Sequence, residues 1–368
     1  MIRLLKQSGY RILVIAPKDN FSAKLISEGV SYRHINLDNY GTNPLSEIRI
    51  IRQLIHIYKS ESIDFILHYT IKPNIYGSMA ARWVGIPSIA ITTGLGHLLS
   101  FSNPLTRVVS LFLYKVGCWL SKEVWFLNQK DVKDFLKLRI VNKKKVFLLP
   151  GEGVDTSYFS PNKPKENGSS MRFLFAGRII WDKGFEAFIE AAKIIKSKYP
   201  YCEFDVVGFL DPTNPNSVPY EYILEHQDQD LINFHGETED VRPFIENAHC
   251  LVFPSTYREG ISRILLETAS MKTPIITTDN VGCKELVDHD ITGFIVPKND
   301  IKSLANAMDT YLNMPYKERL EMGELARLKI LSNHEQKTIN QIYLQKLQAW
   351  IPNQEKIVNQ SKSVERSS

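Results

Sequence analysis

Short apolar runs and longer amphipathic stretches alternate along this chain. Strand-like runs recur at 10–17 (YRILVIAP), 64–67 (DFIL), 89–92 (IAIT), 123–127 (EVWFL) and 146–149 (VFLL). They return at 171–176 (MRFLFA), 204–209 (FDVVGF), 231–236 (LINFHG), 251–253 (LVF) and 274–277 (PIIT). Runs this short and this apolar fit strands buried on both faces of a parallel sheet. After the run at 171–176, Phe185, Phe188, Ile189, Ala192 and Ile195 keep the spacing of one helix face. Residues 2–9 (IRLLKQSG) read as the end of a helix, and 335–350 as a last helix. Strands alternating with helices predict an α/β fold with parallel sheets.

The alternation breaks once. Residues 151–170 (GEGVDTSYFSPNKPKENGSS) are rich in Gly, Pro, Asn and Ser and read as a linker. This divides the chain into a first domain at 1–150 and a second at 171–331. The helix at 332–351 is expected to cross back to the first domain, and 352–368 reads as a polar, disordered tail. A length of 368 residues fits two domains.

Composition narrows the class. Hydrophobic content of 43% and charged content of 23% are those of a globular protein. A net charge of +5 suits an anionic membrane surface or a phosphorylated substrate, and no nucleic-acid recognition motif is evident. Cys118, Cys202, Cys250 and Cys283 lack metal-ligand spacing and read as free thiols in a reducing compartment. No secretory pattern opens the sequence, and no run reaches the roughly 18 apolar residues that span a bilayer. The expected location is cytoplasmic.

The chemistry concentrates in 251–297. A strand, a loop with Glu259 and Gly260, a helix carrying Glu267 and a second strand follow one another. Polar groups at the carboxyl end of a parallel strand mark the nucleotide site of such sheets. A helix starting near Gly260, Ile261 and Ser262 offers unpaired N–H groups and a positive dipole end to a phosphate. Glu267 lies roughly 80° around the helix from position 259. Its carboxylate suits a ribose diol, and Glu259 suits sugar hydroxyls. The alternative is a surface helix with solvated acids. Arg178 and Lys183, in the loop after 171–176, place two cations at another strand end, as a diphosphate requires. A solvated basic loop is the competing reading.

The pieces PSTYREG, LLETASMKTP, TTDNVGCKELV and GFIVP resemble, in order and spacing, the donor-binding signature of glycosyltransferase family 4. Lys272 stands where the family pattern has Gly. The family's GR-x-x-x-x-KG pattern matches Arg178 and Lys183, and FLLPGEGVDTSYFSP matches its interdomain turn. The resemblance implies a GT-B fold of two Rossmann-like domains facing a cleft. It implies a retaining enzyme in which Arg178, Lys183 and Glu259 are catalytic and Gly260, Ile261, Ser262 and Glu267 help to bind the donor. The donor would be a nucleotide-sugar, most plausibly a UDP-sugar, with no cofactor and no metal.

In the family, an opening strand and a glycine-bearing loop precede the first helix. This sequence starts after them, so the first domain is expected to lack its opening strand; translation from an upstream codon is the favoured explanation. The stretch HYTIKPNIYG resembles the subgroup that builds bacterial surface polysaccharides, such as capsule and lipopolysaccharide, on lipid carriers. On that basis Thr70, Lys72 and Asn74, then His68, and Gly94 with His97 in the loop TTGLGH, are candidate cleft or acceptor residues. For both histidines a structural role competes. Residues 105–122 form an apolar helix interrupted by Arg107 and Lys115 and followed by Lys122. It reads either as a buried helix or as a peripheral contact with the inner face of the cytoplasmic membrane. The partners implied are a nucleotide-sugar and a lipid-linked saccharide. Two other classes stay open: a non-catalytic nucleotide-sugar-binding homologue, and a nucleotide-sugar 2-epimerase of the same architecture.

Overall fold

The computed structural model describes residues 1–37, 43–94, 104–163, 165 and 170–351. The chain falls into two compact units. Of the described residues, those within 1–93, 104–149 and 338–351 form one, and 94 with those of 150–337 form the other.

The first unit runs α1 (Ile2–Gln7), β1 (Leu13–Ala16), α2 (Asn20–Ser27), β2 (Ser31–His34), α3 (Pro44–Ser60) and β3 (Ile66–Tyr69). A π-helical turn at Pro73–Gly77 leads into α4 (Ser78–Val84). Then come β4 (Ser88–Thr92), α5 (Pro104–Leu120), β5 (Glu123–Phe126), α6 (Gln129–Lys137) and β6 (Val146–Leu148). Local chemistry sets the helix starts. Asp19 accepts from Ser22 N at 2.8 Å, Asn43 from Leu45 N at 3.0 Å and Asn128 from Asp131 N at 2.8 Å. Pro44 fills the first position of α3, where no N–H is needed. The core gathers on the inner strands: β4 is buried throughout, and Phe135 of α6 meets the ring of Phe126 at 4.9 Å.

All strands of this unit pair in parallel but form two sheets, β1-β2 and β3-β4-β5-β6. Among the described residues β1 is hydrogen-bonded on one side only, as is β3. In the second unit the first strand occupies the centre of its sheet. Among the described residues no strand pairs with the remaining edge of β1 or of β3.

The second unit runs β7 (Met171–Ala176), α7 (Phe185–Lys198), β8 (Cys202–Val207), α8 (Tyr220–Asp228), β9 (Asn233–Phe234), α9 (Arg242–Asn247) and β10 (Cys250–Phe253). It continues through α10 (Arg263–Ser270), β11 (Ile275–Thr278), β12 (Gly293–Val296), α11 (Ile301–Asn313) and α12 (Tyr316–Asn333). One parallel sheet has the order β12-β11-β10-β7-β8-β9. The order reverses at β7, so the loops leaving β7 and β10 flank a switch point, where such sheets bind ligands. Phe173, Phe175, Phe185, Phe188, Phe204 and Phe253 are fully buried around these strands. That aromatic mass fixes the strand ends from which the loops emerge.

The last helix, α13 (Gln336–Trp350), groups with the first unit from residue 338 onward. Its Tyr343 packs on Trp125 at 5.1 Å between ring centroids, and Lys346 meets the Glu123 carboxylate at 3.1 Å. Among the described residues no helix is long and apolar enough to cross a membrane.

Candidate active site

The loops after β7 and β10 are bound to each other through their backbones. The carbonyl of Asp182 accepts from Thr256 N and Tyr257 N, both at 2.8 Å. Gly184, which ends the turn before α7, has φ +79°, and a Cβ there would lie 2.1 Å from the Pro254 carbonyl oxygen. Only glycine fits that approach. This junction brings together residues 76 apart in sequence: the Lys183 ammonium pairs with the Glu259 carboxylate. Their side chains are 9% and 13% exposed. Lys183 Nζ also sits 5.2 Å from the ring centres of Phe253 and Tyr257, and the Arg178 guanidinium lies 5.7 Å from the Tyr257 ring. Two cations, one carboxylate and an aromatic face thus converge at the switch point.

A second turn supports the acidic loop from behind. Val281 O accepts from Glu259 N at 3.3 Å, Gly282 O from Ser262 N at 2.8 Å, and Asn280 Nδ2 donates to Tyr257 O at 2.6 Å. Ser262 caps α10 by position, without a side-chain bond to its first turn. The first-turn N–H groups of α10 therefore face the loop side of the sheet. Gly260 and Ser262 are buried, and Ile261 packs partly into the core. Lys272, where the family pattern has Gly, adopts φ +56° and ends α10 in the left-handed region.

Glu267, one turn into α10, is mostly buried, and burial pushes its carboxyl above the ordinary glutamate value of 4.5 despite Arg263 beside it. Glu152, at the start of the linker, is raised by burial in the same way, with Arg263 again as its charged neighbour. No role for Glu152 or Gly282 follows from the sequence alone. Gly282 lies inside the TTDNVGCKELV motif, so its signal was present; Glu152 has no signal beyond its place in the matched turn. Gly94, which groups with the second unit, lies against the Glu259–Gly260 backbone: a Cβ there would stand 2.6 Å from Gly260 N.

The first-unit candidates separate. His68 is corrected to a core residue. The strand expected at 64–67 runs at Ile66–Tyr69 instead, so His68 lies within β3 and points inward. Its ring nitrogens meet Tyr58 Oη at 3.1 Å and Ser78 Oγ at 3.3 Å. Burial lowers its pKa to about 3, so it is neutral. Asn74 is also in the core, donating to Ile91 O at 2.9 Å and Tyr114 Oη at 3.0 Å. Lys72 pairs with Glu47 at 2.6 Å. Thr70 stands exposed at the end of β3 with φ +69°, a strained state for a β-branched residue that costs about 1–3 kcal/mol. His97 lies outside the described residues. His68→Ala should lower stability by about 2–4 kcal/mol through a cavity and orphaned hydroxyl partners, while UDP affinity stays within twofold, read by thermal unfolding and calorimetric titration.

Comparison with known proteins adds the family. Residues 158–329 match the family model "Glycosyl transferases group 1", and residues 1–127 match "Glycosyl transferase 4-like". An N,N'-diacetylbacillosaminyl-diphospho-undecaprenol α-1,3-N-acetylgalactosaminyltransferase of Campylobacter jejuni is 25% identical, over 94% of this chain and 92% of the relative. A UDP-Gal:α-D-GlcNAc-diphosphoundecaprenol α-1,3-galactosyltransferase of Escherichia coli is 28% identical over 72% and 71%. In structure, a glycosyltransferase from Rickettsia africae aligns with a TM-score of 0.77 and 18% identity, covering 95% of this chain and 93% of that one. Anabaena HepE in complex with UDP-glucose aligns with a TM-score of 0.78 and 17% identity, covering 95% and 94%. The chain therefore carries a glycosyl transferases group 1 domain at 158–329 and a glycosyl transferase 4-like domain at 1–127, on a two-domain α/β GT-B-like fold.

Proposed function

We propose that this protein is a retaining hexosyltransferase. It moves a sugar from a UDP-sugar to a hydroxyl of a lipid-linked saccharide, at the cytoplasmic face of a bacterial membrane, in surface-polysaccharide assembly. The observation that carries the reading is the meeting of Arg178, Lys183 and Glu259 at the switch point of the second sheet. As the sugar–phosphate bond breaks, negative charge develops on the diphosphate. Arg178, Lys183 and the first turn of α10 stabilise it, a role cations and helix dipoles fill without a metal or cofactor. Glu259 holds sugar hydroxyls, and Glu267 the ribose. Thr70 and Lys72 are the acceptor-side candidates that remain outside the core. The relatives named for transfer onto diphospho-undecaprenol sugars support the acceptor class, and the UDP-glucose complex of HepE supports the donor class. The test is transfer from UDP-hexoses to a short-chain polyprenyl diphosphate sugar, followed by mass spectrometry, with the product anomer read by NMR. UDP-hexoses left intact, or a product of inverted configuration, would overturn it.

The acidic loop gives a pH signature. Donor binding requires the Glu267 carboxylate, so affinity for UDP falls as pH drops through its raised pKa, giving an acid limb above 4.5. Stability runs the opposite way. A carboxyl that binds protons more tightly when folded than unfolded stabilises the fold as pH falls. Titration calorimetry across pH should show the limb in the parent protein and lose it in E267Q.

Membrane contact is part of the proposal. Lys115→Glu with Lys122→Glu should weaken sedimentation with anionic vesicles by about thirtyfold, at about 1 kcal/mol per basic residue. Unaltered partition would remove the claim.

A further inference from the structure

Helix α5 has two apolar faces. Tyr114, Gly117 and Cys118 face the core of the first unit. Leu105, Val108, Val109, Phe112 and Trp119 repeat at helical spacing on the outside, with Phe112 63% and Trp119 72% exposed. A surface stripe of this kind marks an interaction site. It opens onto a cavity of about 440 Å³ between α5 and the chain that runs from the end of α6 to β6. Phe112, Val116 and Trp119 form one wall; Leu136, Ile140 and Val141 form the other. Sites that enclose small molecules span about 300–1,000 Å³ and are mostly apolar, with few polar groups.

The rim is cationic. Lys115 and Arg139 line it, and both are exposed. Lys145 is already engaged, donating to Ser121 O at 2.7 Å beyond the end of α5. Arg107, Lys122, Lys137, Lys143 and Lys144 stand exposed along the same two segments. Neither 104–122 nor 135–148 contains an acidic residue.

We propose that this cavity takes one hydrocarbon chain of an anionic membrane phospholipid, whose phosphate rests between Lys115 and Arg139. The proposal depends on the membrane contact put forward above and adds a chain-binding site to it. Phe112 and Trp119 belong to both stripe and cavity, so whatever covers the stripe also closes the cavity. The stripe follows a 17-residue helix, about 25 Å long, and the cations spread over two segments. A single lipid-linked acceptor presents too few anionic groups to meet them all; a bilayer surface meets them together. Trp119 then sits at headgroup depth, and the lysine stems lie along the apolar wall.

The experiment uses vesicles of phosphatidylglycerol brominated in their acyl chains. These should quench a tryptophan signal that Trp119→Phe loses. Val116→Trp, which fills the cavity, and Arg139→Glu, which keeps its shape and reverses a rim charge, should each weaken binding to unbrominated anionic vesicles by about tenfold. Both variants should transfer sugar to a water-soluble acceptor as the parent does. Vesicle binding unchanged in both would overturn the cavity assignment while leaving membrane docking intact. Protection of Trp119 by geranyl phosphate but not by phosphatidylglycerol would overturn it by giving the cavity to an isoprenoid carrier. Loss of transfer by the parent protein with normal vesicle behaviour would strike the enzymatic reading alone.

Discussion

Lys183→Ala should lower kcat for sugar transfer by about 10²–10³-fold, the effect of removing one preorganised charge from a developing anion, about 3–4 kcal/mol. The effect on KM should be smaller, because the leaving diphosphate carries more charge in the transition state than in the bound donor. The pair with Glu259 adds a structural consequence. Both side chains are nearly enclosed, so removing one leaves the other uncompensated, and breaking a buried pair costs about 3–5 kcal/mol. Some solvent reaches this pair, so the loss should fall toward the lower end of that range. Glu259→Ala should destabilise similarly and also cut kcat, through lost contacts to the sugar. The double variant separates the two effects. Removing both charges should restore part of the thermal stability lost in each single variant, while kcat stays at or below the lower single value. A Lys183→Ala enzyme with kcat within about twofold of the parent would remove Lys183 from the reaction.

That pairing also marks the limit of what the sequence discloses. The places of Arg178, Lys183, Glu259 and Glu267 at a strand's end or in the helix that follows were legible because an apolar strand precedes each and helical spacing follows. The face of α7 was legible for the same reason, and Phe185, Phe188, Ile189, Ala192 and Ile195 are all buried. The contact between Lys183 and Glu259 was not, since it depends on two loops meeting through Asp182 O and Gly184. His68 shows how a small error propagates. A strand placed two residues early ends at 67 and puts His68 in the following loop, whereas the strand that runs to Tyr69 holds it inside the sheet. Asp64 inside the run and His68 after it left the ends of that strand open. The π-helical turn at Pro73–Gly77, which draws Asn74 into the core, has no sequence pattern of its own.

Gly282→Ala should abolish most transfer although Gly282 itself is assigned no contact with the donor. Gly282 has φ +86°, a conformation that costs a residue with a Cβ about 1–2 kcal/mol. Space is the larger obstacle. A Cβ would stand 2.7 Å from the Glu259 carbonyl oxygen and 2.8 Å from both its carbonyl carbon and its Cβ. These are backbone and near-backbone atoms, so no rotamer change relieves the clash. The loop must shift, and overpacking of this kind costs about 1–3 kcal/mol more. The same turn holds Ser262 through Gly282 O and Glu259 through Val281 O. Movement there carries the carboxylate, the Lys183 contact and the start of α10 away together. Misplacement by about 1 Å costs roughly 10²-fold in rate. The expected variant is folded, with a lower thermal midpoint, weakened UDP binding and kcat/KM reduced by about 10²-fold or more. Cys283→Ala, at the next position, serves as the control: its thiol is buried and unpaired by disulfide, so the substitution should lower stability through a small cavity and leave kcat/KM within a few fold. A Gly282→Ala enzyme that retains full kcat/KM would show that the turn does not position Glu259, and the donor site would have to be built from other contacts.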